Sequence, residues 1–251
     1  MYQLNNFYEN GNMKCISALG QYQIFEHEKD LSVSPSMAET AYFAAQMNVR
    51  RRQLLVNLNG TGCTVQAGAM QWMIGNVNMS SGVKGVGNFI GKAIGSAVTK
   101  ESAVKPEYSG SGLLMLEPTY KHLIFVDVAQ WGSIVLDDGL FLACDSTLSQ
   151  QVVARSNLSS AVLGGEGLFN LCLSGNGVAV LESPVPQSEL IVFQLQDDVV
   201  KIDGNMAIAW SGSLQFTVEK SGKSLLGSAV SGEGLVNVYR GTGTILMAPT
   251  A

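Results

Sequence analysis

Three glutamates are spaced as if to act together. Glu166 and Glu233 hold the same place in the near-identical runs Gly165-Glu166-Gly167-Leu168-Phe169-Asn170-Leu171 and Gly232-Glu233-Gly234-Leu235-Val236-Asn237-Val238, and Glu101 stands nine residues before Gly110 just as Glu166 stands nine before Gly175. Carboxylates converging from three equivalent positions would make an oxygen-rich cage of the kind calcium or magnesium takes. The plainer expectation is preferred, because strands in a sheet need not bring their ends together: repeated glutamates cap or solvate repeated turns. No metal or other cofactor is expected.

The remaining reactive residues point away from catalysis. His27 and His122 are the only histidines, too few for the histidine pair and glutamate of a β-helix metal enzyme, and there is no GxSxG nucleophile turn. Both are expected to be exposed and structural. Cys15, Cys63, Cys144 and Cys172 form no CxxC pair and are expected as buried free thiols. Arg50-Arg51-Arg52 could meet phosphate, but at a net charge of −5 a solvated or ion-paired turn before Leu54-Leu55-Val56 is the expectation. The acidic balance also opposes nucleic acid, since Lys and Arg are not interleaved with aromatics.

The glycine-rich stretch Gly82 to Gly95 contains neither GxGxxG nor GxxxxGK[ST], so it is not a nucleotide cradle. It is too short to span a bilayer. It does place Val86, Phe89, Ile90 and Ile94 beside Lys84 and Lys92, the composition of an interfacial contact. This stretch is the candidate for touching a membrane surface or a protein partner.

The elements that hold these residues are strands. Gly110/Gly112, Gly175/Gly177 and Gly241/Gly243 each precede an apolar run and lie 65 and 66 residues apart. A second landmark, ending in Gly68, Gly139 and Gly204, lies 42, 36 and 37 residues ahead of them. Glycine tolerates φ > 0, so each pair reads as a hairpin turn. Apolar segments bounded by Gly, Ser, Asn and Asp, such as 123–128, 189–195 and 214–218, read as strands. The prediction is one all-β domain, 1–251, of repeated β-sandwich units. Three pseudo-repeats cover about 50–130, 131–196 and 197–251, after a leader, 1–49. In that leader Ser34, Pro35 and the run Ser36 to Met47 predict a capped short helix.

Composition suggests partners of the same kind. Hydrophobic residues make up 46% and charged residues 14%, against a usual charged fraction of about 25%. The surplus is expected in subunit contacts of a homo-oligomer, a trimer being favoured. No signal segment and no run of about 18 apolar residues is present, which makes the cytoplasm the expected location.

The segment Val65-Gln66-Ala67-Gly68-Ala69-Met70, the glycine-rich stretch ending in Lys100-Glu101-Ser102, the repeated Gly-Glu-Gly-Leu and the closing Tyr239-Arg240-Gly241-Thr242-Gly243-Thr244-Ile245-Leu246-Met247-Ala248-Pro249-Thr250 resemble the altered inheritance of mitochondria 24 family. The likeness runs from about Asn48 to the C-terminus. It implies a repeated double-stranded β-helix similar to the tryptophan-RNA-binding attenuation protein, and association into rings or trimers. Fungal members are tied to inner-membrane organisation, and no catalytic residues carry over. The expected role is a non-catalytic oligomeric scaffold, and the alternative is a ligand- or RNA-binding ring with sites between repeats.

Overall fold

The structure is a computed structural model that describes residues 2–81, 105–154, 169–220 and 235–250. Among the described residues it is all-β with one short α-helix, and its strands form two curled sheets. In the first sheet β1 (Met13–Leu19), β2 (Tyr22–His27), β3 (Arg52–Val65), β8 (Phe141–Asp145), β11 (Val178–Ser183) and β6 (His122–Asp127) lie side by side, and β5 (Glu107–Leu116) pairs with both β3 and β4 (Met70–Ser80). In the second the order is β12 (Ile191–Asp203), β15 (Leu235–Met247), β13 (Ala207–Ser211), β7 (Ser133–Leu136), β10 (Phe169–Ser174) and β9 (Ser149–Ala154), with β14 (Gln215–Lys220) also on β15. Every strand pair is antiparallel.

β3 shows why apolar runs without alternation become strands here. Leu54, Leu55 and Val56 are all buried because both faces of the strand are covered. Leu54, Val56 and Leu58 enter a core with Leu114, Leu116, Ala143 and Val180. Leu55 turns the other way, to Phe7, Phe25 and Met115. A further core joins the sheets: Ile134, Leu136 and Leu173 of the second meet Phe141, Ala179 and Leu181 of the first. Beyond it, Trp210 stacks on Phe216 at 5.3 Å and both meet Tyr239.

The glycine pairs correct the hairpin expectation. Gly175-Asn176-Gly177 does connect β10 to β11, but Gly110 and Gly112 lie inside β5, and Gly241 and Gly243 inside β15. The leading glycines share a left-handed backbone, with φ of 121, 112 and 113. In the long strands that conformation serves a bend. The opposite strand slips register there, between Asn59 and Thr61 and between Leu195 and Asp198. β15 pairs with β14 before its bend and with β13 after it. At Gly110 and Gly112 a side chain would run into the carbonyl oxygens of Asn76 and Ile74 on β4.

The N-terminal 49 residues do more than lead in. They add β1 and β2 to the edge of β3. The helix α1 (Ala38–Gln46) follows a 3-10 turn at Pro35–Met37 and buries none of its residues. Ser34 precedes the turn without capping it, since its hydroxyl faces that of Ser36 at 3.0 Å. Among the described residues no helix is long and apolar enough to cross a membrane.

Candidate functional site

A dense polar cluster gathers around the arginine run. Arg52 opens β3 and is only 2% exposed, so it is not the solvated turn residue expected. Its guanidinium pairs with Glu26 Oε2 at 2.7 Å and donates to the carbonyl and side-chain oxygens of Asn48 at 3.1 and 2.8 Å. Arg50 takes the other Glu26 oxygen at 3.1 Å and donates to the Ala45 carbonyl at the end of α1. Arg51 Nε lies 2.6 Å from Asp30 Oδ2 and 3.1 Å from the Tyr120 hydroxyl, with its guanidinium 5.4 Å above the Tyr120 ring. Ion pairing was the part of the expectation that holds, and the strand position is what β2–β3 pairing adds, by setting Glu26 opposite Arg52.

Hydrogen bonds from Ser32 and Tyr120, with the Arg51 charge behind them, hold the Asp30 carboxyl down to about 2. All three cations are therefore spoken for by carboxylates, which leaves a poor trap for phosphate. Their partners lie in the sequence some 25 residues upstream, in Glu26-His27-Glu28-Lys29-Asp30. That opposite-charge block was the available signal.

Beside the clasp a cleft of about 210 Å³ runs between α1 and β2, walled by Val33, Met37, Ala41, Ala44 and Val49, with His27 and Tyr120 at its polar side. The outer face of α1 leaves Tyr42 62% and Phe43 59% exposed, and Met47, just past its end, is 78% exposed. An ionic clasp thus fastens an apolar helix that covers little and shows much. Composition hinted at an exposed apolar surface, but Ala-rich 36–47 carried no sign that this helix would supply it.

The other expected residues fall as follows. His27 is half-buried and within 2.8 Å of the Gln53 side-chain oxygen, and His122 is half-buried on β6, its pKa lowered first by burial and then by Arg52, so neither is exposed. Cys63 and Cys144 are buried, Cys172 partly so, and Cys15 is exposed on β1, against the expectation of four buried thiols. Burial pushes the Cys63 thiol up to about 12. Glu101, Glu166 and Glu233, and Lys84, Val86, Phe89, Ile90, Lys92 and Ile94, lie outside the described residues. Among the described residues no group of three or more His, Cys, Asp or Glu is placed to hold a metal ion.

A polar motif recurs at two of the three glycine pairs. Asp145 accepts from the Val178 N–H and Ser211 from the Thr244 N–H, at 2.8 and 2.9 Å. Next to them the Thr147 hydroxyl donates to the Asn176 carbonyl and the Ser213 hydroxyl to the Thr242 carbonyl. These bonds tie the Gly175–Gly177 connection to the end of β8 and the Gly241–Gly243 bend to the end of β13.

An uncharacterised protein of Streptococcus pyogenes serotype M6 is 29% identical over 195 residues, covering 74% of this chain and 76% of its own. The crystal structure of a Streptococcus pyogenes protein superposes with a TM-score of 0.58 at 25% identity, over 80% of this chain and 88% of that one. The family described as mitochondrial biogenesis AIM24 matches residues 45–250, so the match takes in every strand from β3 to β15 and leaves out the β1–β2 hairpin; the chain belongs to that family.

Proposed function

We propose that this protein is a non-catalytic β scaffold of the cytoplasm that assembles with copies of itself into a closed homo-oligomer, a trimer in the simplest case. The observation that carries the proposal is one plan of pairing met three times. β5 lies between β3 and β4. β10 with β11 lies between β7 with β6 on one side and β9 with β8 on the other. β15 lies between β12 and the pair β13 with β14. Units on this plan span 52–116, 122–183 and 191–247.

Such units do not bury their apolar faces alone, and each is completed by the next. A finite series leaves unfinished edges at both ends, which association of copies removes. Exposed Ile191, Val192 and Val199 on β12 are consistent with such a covered surface. Light scattering across 1–100 µM, a range on the order of that in which weak assemblies form, should give a multiple of 26.6 kDa. The chain mass at every concentration would overturn the proposal.

A membrane or partner contact through residues 82–95 rests on their composition alone. Replacing Phe89 and Ile90 by Ser should leave the oligomer mass unchanged and weaken co-sedimentation with liposomes. Unchanged sedimentation removes this stretch from the proposal.

A further inference from the structure

We infer that a second copy of this chain docks by strand pairing, its β12 edge against the β4 edge of the first, in the antiparallel register Val200 to Ile74, Lys201 to Met73 and Ile202 to Trp72. The inference rests on the three-unit reading above and names the surfaces through which copies join.

The two junctions inside the chain supply the rule. At the first, Cys63, Thr64 and Val65 of β3 pair with Asp145, Cys144 and Ala143 of β8. At the second, Ile134, Val135 and Leu136 of β7 pair with Ser211, Trp210 and Ala209 of β13. On its other side Cys63 pairs with Tyr108, and Ile134 with Leu173. Each receiving strand slips register just before the junction, β8 between Phe141 and Ala143 and β13 between Ala207 and Ala209. Equivalent strands meet in the same register both times.

β12 and β4 are the third giver and the third receiver. Val200 pairs with Tyr239 as Cys63 does with Tyr108. β4 slips register between Met70 and Trp72, in the place where β8 and β13 slip. Ile202 is buried like Val65 and Leu136, its counterparts. Yet β12 pairs only with β15, and β4 only with β5, so among the described residues each presents one unpaired edge of backbone N–H and C=O groups. Transfer of the internal register to these edges gives the three pairs named above.

The receiver belongs to another copy. β4 and β12 stand at opposite ends of the series, and among the described residues no apolar core contains side chains of both 52–116 and 191–247. The contact is head to tail, the arrangement that closes into a ring when its rotation permits. Next to the β4 edge, Leu4 and Phe7 cover Leu55, Met115 and Trp72. At the first internal junction the corresponding side chains, Phe125, Val180 and Ala143, share a core with Val56, Leu58 and Val65 of the preceding unit. The N-terminal segment thus occupies the preceding unit's place and competes with the incoming copy.

The full-length chain tests this directly. Light scattering should show mass rising with concentration, and hydrogen exchange should show amides of 70–74 and 199–203 slowing as it rises. Met73 is 43% exposed, so its substitutions leave the monomer fold intact, which thermal melts check. Met73→Lys sets a second ammonium against Lys201 of the incoming copy and should weaken association by about fivefold per contact, whereas Met73→Glu should hold or tighten it. Phe7→Ala, which loosens the competing segment, should raise the assembled fraction. An assembly indifferent to the charge at position 73, or one in which the two segments exchange as fast as in the monomer, overturns this interface while the oligomer reading stands. A monomer at all concentrations overturns both.

Discussion

At the scale of residues one part of the pH response sits in the Asp30 carboxylate. Asp30 is held to about 2 by Ser32 first, then Tyr120 and Arg51, against 3.8 in the unfolded chain. A depressed carboxyl stabilises the fold fully above the unfolded value and loses that contribution as pH falls through the folded one. Asp30→Asn should therefore melt below the parent at pH 5, the gap closing as pH falls from about 4 to about 2. Thermal melts across that range decide it, and a gap independent of pH would mean the charge is not responsible. The clasp was half legible. Arg50 to Arg52 and the acidic block around Asp30 can be read as opposite charges, but their partnership depends on β2 lying against β3, and on Tyr120 arriving from 90 residues away.

Among the elements, the strands themselves were legible, because short apolar runs ending at Gly, Asn or Asp have few other ways to bury their faces. The glycine pairs were not. A left-handed glycine suits a hairpin turn and a mid-strand bend equally, and the neighbouring strand decides between them. At Gly110 two demands coincide, φ of 121 and a β4 carbonyl where Cβ would stand; at Gly68 φ is 80 with nothing within 4 Å. Gly68→Ala should cost about 1 kcal/mol through conformation alone, and Gly110→Ala roughly 3 kcal/mol or more. Denaturant midpoints of the two variants make the comparison, and equal losses would show that the β4 contact adds nothing.

For the whole molecule the middle strands bind the two sheets together. Leu181 of β11 is fully buried in the core that also holds Ile208 and Ala209 of β13, while its neighbour Val180 enters the core of β3 and β5. Leu181→Ala should cost about 2–5 kcal/mol and lower one cooperative transition. Calorimetry that resolves two transitions would show instead that the sheets melt apart. The sequence by itself determined an all-β chain with a short N-terminal helix and family membership, because apolar runs, glycine placement and the closing motif are local and survive in one dimension. Tertiary structure alone decided that Arg52 is buried, that α1 shows its aromatic face to solvent, and that Gly110 and Gly241 bend strands instead of reversing them. Each of these depends on which distant segment lies alongside, and pairing partners in an antiparallel sheet are chosen by the whole pattern of faces that must be covered.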